Sequence, residues 1–376
     1  MRLITFADAD GTVLLGAFEE GDLSIVQLTG QHPCLDSMQD LIEAGDEGLR
    51  VAKAAKAAKA APRVATQSVT LLSPLPKPEQ YRDFMMFEEH FKNCKVRAME
   101  DVLKKYDEPE RAKKRQDAID KGHTKIPGVW YKQPIYYKGN RFAFQGHEAD
   151  VEWPSYSTKQ RDFECEMAVI IGKVGKDIPK ESAMDHVFGF SILNDFSARD
   201  AQFSEMAASL GPCKGKDFDG ANVMGPCIVT KDEFGDYKQK TMEAFVNGER
   251  WGGGTAGNMH FGFEGAIAHV SKGETLHPGE VLGSGTVGTG CGFEHGRYLN
   301  DGDEVELRIE GIGSLRNRVV LEPKAKAATA GAKATGARKK SAAAKSGEWA
   351  KLLGAALAGA AVASIVLLNS GKAKQR

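Results

Sequence analysis

The sequence predicts a mainly β fold with added helices, an α+β class arranged as a β-barrel or β-sandwich roll, and three observations carry that expectation. Short segments such as "CEMAVIIGK", "GFSILNDFS", "GPCIVT", "MEAFVNGE" and "DEVELRIEGIG" are rich in β-branched and aromatic residues and alternate with period two. Glycine-rich turns, as in "EVLGSGTVG", separate them, which is the pattern of packed antiparallel strands. At 376 residues the chain is long enough to bury a full core.

Taken in order, residues 1–75 read as a small N-terminal unit of short strands, "LITFA", "TVLLGAF" and "LSIVQL", followed by the lysine–alanine helix "LRVAKAAKAAKAA". The proline-rich connector "LLSPLPKPEQ" then stops any helix and marks a boundary. Residues 76–323 form the main body. It opens with the charged stretch "EDVLKKYDEPERAKKRQDAIDKGH", a solvated helical pattern, and turns to strands after "KIPGVWYKQPIYYKGN". Residues 324–348 are basic and low in complexity, without large apolar side chains, so they read as a disordered linker. Residues 349–376 hold an uncharged run from Leu352 to Leu368 closed by Lys372, Lys374 and Arg376. A bilayer core needs roughly 20 apolar residues, so this run sits at the short end of what spans. The expectation is a C-terminal hydrophobic helix that anchors the protein in a membrane with the main body on the cytoplasmic side. A surface-packing helix is the alternative.

Composition narrows the class. Fifty basic against 51 acidic residues give a formal net charge of −1, and no basic stripe is interleaved with aromatics, so nucleic acid is not an expected partner. Six cysteines are scattered singly, with no CxxC pair or cysteine–histidine cluster in the sequence, which argues against a zinc or disulfide framework. The N-terminus lacks the basic region and long apolar core of a signal peptide.

The chemistry concentrates in "RDFECEMAVIIGK". In a strand, Glu164 and Glu166 emerge on one face while Phe163, Cys165 and Met167 turn to the other. Two anions so close repel unless a cation lies between them. "GFSILNDFSARDAQF" adds Asp195 at the end of an apolar strand, opening into a polar loop. Three carboxylates without a cysteine or histidine partner suit a hard cation, Mg²⁺ or Ca²⁺; a pair of solvated or arginine-bridged acids is the plainer reading. His90 beside Phe87 and Phe91 reads by itself as a structural histidine, Lys216 beside Asp217 and Asp219 as a surface ion pair, and Asp200 as a turn residue.

These segments together resemble the fumarylacetoacetate hydrolase family. "RDFECEMAVIIG" and "NDFSARDAQ" match its acid–x–acid strand and N-D-x-S-A-R-D segment, "GPCKGKDFDGANVMGP" its G-K-x-F run, and "GEVLGSGTVGTG" and "LNDGDEVELRIEGIGSLRN" its closing elements. The resemblance covers roughly residues 80–320. It implies that Asp83, Glu164, Glu166 and Asp195 are metal ligands for Mg²⁺ (or Ca²⁺ or Mn²⁺). In "RDFMMFEEHFKN" it makes His90 the catalytic base. Smaller family members carry the histidine directly after the aspartate, where this chain has Phe84, so the larger, hydrolase-type branch is implied. Glu294 in "CGFEHG" then orients His90, and Lys216 joins the catalytic set. Arg199, Gln202, Tyr137 and Thr286 fall at substrate-binding positions. The implied activity is metal-dependent hydrolysis of a C–C bond in a β-diketo or acylpyruvate-type acid by a homodimer. A decarboxylase, hydratase or isomerase acting on a 2-keto acid is the alternative, and a membrane-tethered scaffold with a retired site is the alternative from outside the enzymes.

Overall fold

The computed structural model describes residues 1–157 and 159–321. The strand segments expected from period-two patterning form. "CEMAVII" is the strand Cys165–Ile171, and "GFSILND" lies within Val187–Asp195. Both are buried along their whole length, which explains their near-continuous apolar character: the sheet they occupy is covered on both sides. Alternate residues of the 165–171 strand go to different cores. Cys165, Met167, Val169 and Ile171 enter one apolar cluster, with Val305, Leu307 and Val319 of a second sheet. Ala168 and Ile170 enter another, with Leu41, Ile42 and Ala52 of the N-terminal helices.

The large sheet has twelve strands. Its main path runs Arg63–Ala65, Ser24–Gln27, Val13–Phe18, Arg2–Ala7, Asn222–Thr230, Val187–Asp195, Cys165–Ile171, Val281–Gly283, Tyr81–Phe84 and Tyr136–Lys138. A five-stranded sheet (Glu249–Thr255, Thr241–Val246, Glu304–Ile309, Gly313–Val320, Asp150–Glu152) and a two-stranded ladder (Arg161–Asp162 with Ser197–Ala198) complete the β structure among the described residues.

The expected barrel does not form: among the described residues the two ends of the large sheet, 63–65 and 136–138, are not paired with each other. The sheet is not driven to close, because a second sheet and the helices Met38–Glu43 and Gly45–Ala57 already cover its faces, and its terminal strands are only three residues long. The fold is a mixed α/β arrangement of several open sheets. The charged stretch after residue 87 forms two helices, Glu88–Leu103 and Glu108–Asp120, the second capped by Asp107. The expected linker and the expected apolar tail lie outside the described residues; within them, no helix is long and apolar enough to cross a membrane.

The N-terminal strands are built into the same sheet as the main body. Arg2 and Leu3 pair antiparallel with Val229 and Ile228, and Leu3, Ile4, Phe6, Leu15, Ile25 and Val26 are buried. Burying such a side chain stabilises by about 1.5–3 kcal/mol, so six of them match a whole domain's typical margin of about 5–15 kcal/mol. A chain beginning at residue 76 is therefore expected to aggregate or lose its cooperative thermal transition. A soluble fragment melting like the full chain would show that the N-terminal strands are dispensable.

Candidate active site

Four acidic side chains converge at one end of the large sheet, and strand register brings them there. Cys165 pairs antiparallel with Asn194 and Glu166 with Leu193, which sets Glu166, near the start of one strand, diagonally across from Asp195 at the end of the next. On the other side Ala168 pairs with Gly283, and Gly283 pairs in parallel with Asp83. Glu164 reaches the same place through a bridge to Cys291. One carboxylate oxygen from each of Asp83, Glu164, Glu166 and Asp195 lies within 4.8 Å of the others, and all four residues are buried. Gly283 leaves the room they occupy. A Cβ there would stand 2.7 Å from Asp83 Oδ1 and 2.8 Å from Glu166 Oε2.

Two cations serve this group. Lys216 Nζ donates to Glu164 Oε2 at 2.5 Å, to Ser197 Oγ at 2.7 Å and to Asp195 Oδ2. Arg199 Nη2 lies 2.7 Å from Glu164 Oε1, and Arg199 Nη1 donates to Gln202 Oε1 at 3.0 Å. Tyr137 donates its hydroxyl to Asp195 Oδ2 at 3.0 Å, and the Gly285 amide donates to Glu166 Oε2 at 3.0 Å.

The charges are uneven. Burial tends to raise Glu164, but Arg199, Lys216 and His90 outweigh it and hold this carboxyl well below the usual range. Burial pushes Asp83 up to about 6, and burial together with the neighbouring acids pushes Glu166 and Asp195 well above the ordinary carboxyl value. Asp83 Oδ1, Glu166 Oε1 and Asp195 Oδ1 are buried without a hydrogen-bond partner. An all-oxygen donor set short of positive charge, with three unpartnered oxygens, fits a hard divalent cation such as Mg²⁺, Mn²⁺ or Ca²⁺.

His90 stands in the first turn of the 88–103 helix. Its Nδ1 is 2.8 Å from Glu294 Oε1, and its Nε2 faces the carboxylates, 3.9 Å from Glu164 Oε1. Asn93, one turn along the same helix face, donates to Glu294 Oε2 at 2.7 Å, and the Thr289 amide donates to the same oxygen at 2.9 Å. Burial works against the imidazolium, but Glu294 prevails and the proton affinity of His90 lies well above the usual histidine value. A cavity of about 390 Å³ opens over these groups. Asp83, His90, Glu164, Glu166, Arg199, Gln202, Lys216, Tyr137 and Thr286 all line it, together with Phe91, Ala98 and Met206. Every candidate named from sequence therefore lies at this cavity or, for Asp195 and Glu294, directly behind it. Lys216 is a buried hub and not a surface ion pair.

Sequence reasoning missed Asp162. It is fully buried, its Oδ2 accepts from Arg199 Nε at 2.8 Å, and its two oxygens accept the amides of Gly292 and Phe293 at 2.7 and 3.0 Å. One side chain thus orients Arg199 and seats the short Gly292–His295 helix that carries Glu294. The signal was available: Asp162 stands two residues before Glu164, continuing the same period.

Residues 105–320 match the family described as fumarylacetoacetate (FAA) hydrolase C-terminal, and the chain belongs to that family of enzymes. Glu164, Glu166, Asp195 and Glu294 fall inside the match, and Asp83 and His90 precede it. Among characterised relatives, oxaloacetate tautomerase YisK of Bacillus subtilis is 37% identical over 194 residues, 51% of this chain and 61% of that protein. The chain thus spans under two thirds of the length of that relative. The solved structure of a fumarylacetoacetate hydrolase from the psychrophile Exiguobacterium antarcticum superposes with a TM-score of 0.65 at 29% identity, covering 86% of this chain and all of the other. Maleylpyruvate hydrolase of Sphingobium sp. SYK-6, solved with manganese(II) and pyruvate, shares the fold with a TM-score of 0.63 at 24% identity over 85% of this chain and 99% of that one.

Removing the charge of Asp162 by Asp162→Asn breaks part of a buried ion pair, so a stability loss on the order of 3 kcal/mol is expected. Thermal melting checks it, and an unchanged transition would show that Arg199 and the 292–295 helix are held by other contacts.

Proposed function

We propose that this chain is a divalent-metal-dependent hydrolase that cleaves a C–C bond in a small β-diketo or acylpyruvate-type acid, with His90 as general base. The observation that carries the reading is the seating of His90: Nδ1 is bound to Glu294 while Nε2 is aimed across the cavity at the carboxylates. A divalent cation held by Asp83, Glu164, Glu166 and Asp195 would supply Lewis acidity to polarise the attacked carbonyl.

The side chains account for the remaining steps. A dication among the carboxylates would disfavour the imidazolium; Glu294 accepts the hydrogen bond from Nδ1–H and fixes the tautomer and tilt of the neutral ring, so Nε2 is the atom that takes a proton from water. The resulting hydroxide adds to the carbonyl carbon. As the C–C bond breaks, its electron pair leaves on the departing fragment as an enolate, which recovers the proton from His90. Lys216 and Arg199 are fixed cations beside the place where that negative charge develops, and their buried partners hold them there without reorganisation. Gln202 braces Arg199 and, with Tyr137 and Thr286, presents polar groups to the substrate.

A second reading uses the same base. The likeness to an oxaloacetate tautomerase over half the chain favours keto–enol exchange, in which His90 removes a C–H proton and returns it at the enol oxygen, and no water is consumed. Acetylpyruvate and oxaloacetate supplied with Mg²⁺ separate the two readings. Release of pyruvate with an equal amount of acetate from acetylpyruvate supports hydrolytic cleavage, whereas accelerated enol loss from oxaloacetate without fragments supports tautomerisation. In either case excess chelator should abolish turnover, and His90→Ala should lower it by about 10²–10⁴-fold with little change in metal affinity. Glu294→Gln should cause part of that loss, and the double variant should be no worse than His90→Ala, because a base and its positioning residue act as a unit. Multiplying losses would detach Glu294 from the base.

Assembly as a homodimer rests on the family resemblance. Membrane attachment through residues 349–376 rests on the sequence alone. If that reading holds, the full chain pellets after a carbonate wash while a chain ending at Pro323 stays soluble and equally active. A soluble full-length protein would remove the anchor.

A further inference from the structure

Four basic side chains line the cavity: His90, Lys95, Arg199 and Lys216. Three of them are matched to carboxylates. His90 meets Glu294, Arg199 meets Asp162 and Glu164, and Lys216 meets Glu164 and Asp195. Lys95 is the exception. It is half-buried, burial lowers its proton affinity, and among the described residues no carboxylate acts to raise it again. Its Nζ lies 5.9 Å from the centroid of the Phe91 ring, one turn earlier on the 88–103 helix, and Phe91 and Ala98 line the cavity beside it. A cation drawn partly out of water with no anion opposite it is costly. The proposed reaction gives it no task.

We propose that Lys95 is a specificity-determining residue: it binds a second carboxylate of the substrate, remote from the reacting carbonyl, and the acid taken is a dicarboxylate. This assignment rests on the function proposed above, because it names the acid that the same site would take. Lys95 follows His90 by five residues, about 7.5 Å along the helix axis, so the two stand at different places on one cavity wall. Arg199 and Lys216 are held among the buried acids and serve the reacting end. An acid with a single carboxylate uses it at that end and leaves Lys95 unpaired, whereas a dicarboxylate meets a cation at both. Lysine suits the distal role. Its ammonium is a point charge with three donors on a flexible stem, so it meets a carboxylate over a range of chain lengths. Phe91 and Ala98 offer apolar surface to the carbons between the two ends.

The test compares succinylpyruvate with butanoylpyruvate, which differ by a terminal carboxylate against a methyl, using the full chain in saturating Mg²⁺. Loss of enol absorbance follows both cleavage and tautomerisation, and the readout is the ratio of kcat/KM for the first acid over the second. The wild type should prefer the dicarboxylate. Lys95→Met, which keeps the apolar stem, should lower the ratio by about 10–100-fold, the loss of one hydrogen bond to a charged group. Lys95→Arg should restore most of it, and Lys92→Met, at an exposed position on the same helix, should leave it unchanged. A ratio that stays level in Lys95→Met, or falls equally in Lys92→Met, overturns the contact. Equilibrium binding of the two acids to His90→Ala, with and without Lys95→Met, separates this contact from the reaction. If neither acid is turned over, yet the dicarboxylate binds more tightly by the same factor only while Lys95 is present, the proposed reaction fails and the role of Lys95 stands. Equal binding with and without Lys95 overturns that role whatever the turnover.

Discussion

The constraint on which the rest of the structure depends is the burial of five acidic side chains, Asp83, Asp162, Glu164, Glu166 and Asp195, around the fixed cations Lys216 and Arg199. Removing a charge from water is costly unless it is paired, and this group is only partly paired. The fold meets that cost by sharing. Lys216 is divided among two carboxylates and a serine, and Arg199 between Asp162 and Glu164. What stays unbalanced is either protonated, as the raised Asp83, Glu166 and Asp195 imply, or available to a divalent ion. A site held short of positive charge is suited to a cation, because the desolvation of its carboxylates is already borne by the fold.

The same arrangement links the charge centre to His90, the proposed base. Asp162 touches Arg199 on one side and the amides of Gly292 and Phe293 on the other, and the next residue, Glu294, holds His90. The base and the charges that would face the developing anion are therefore positioned through one buried carboxylate. A disturbance at Asp162 reaches both at once.

Much of this was legible in the sequence. The acid–x–acid period in "RDFECE" placed Glu164 and Glu166 on one face, and Asp195 at the end of an apolar strand was readable as a site position. Four residues were named only by resemblance: Asp83 and His90 lie near each other but far along the chain from Lys216 and Glu294, and contacts such as a parallel strand pair and an isolated bridge, which no local pattern announces, bring such distant segments together. Closure was misjudged for a related reason. Alternation along a strand reports how its faces are covered, not whether the edges of the sheet meet.

The cavity wall has two origins. Its floor is the end of a sheet packed on both faces, with strand register fixing each carboxylate. Another part is made by side chains on helices: Phe91 and Ala98 on the 88–103 helix and Met206 on the Arg199–Met206 helix. Helix-surface positions of this kind accept changes in size and polarity that a doubly covered strand does not. Under the proposed function, the strand residues would set which bond is activated and the helix residues which molecule is admitted. An effort to redirect its selectivity would begin with these three helix residues and leave the strands untouched.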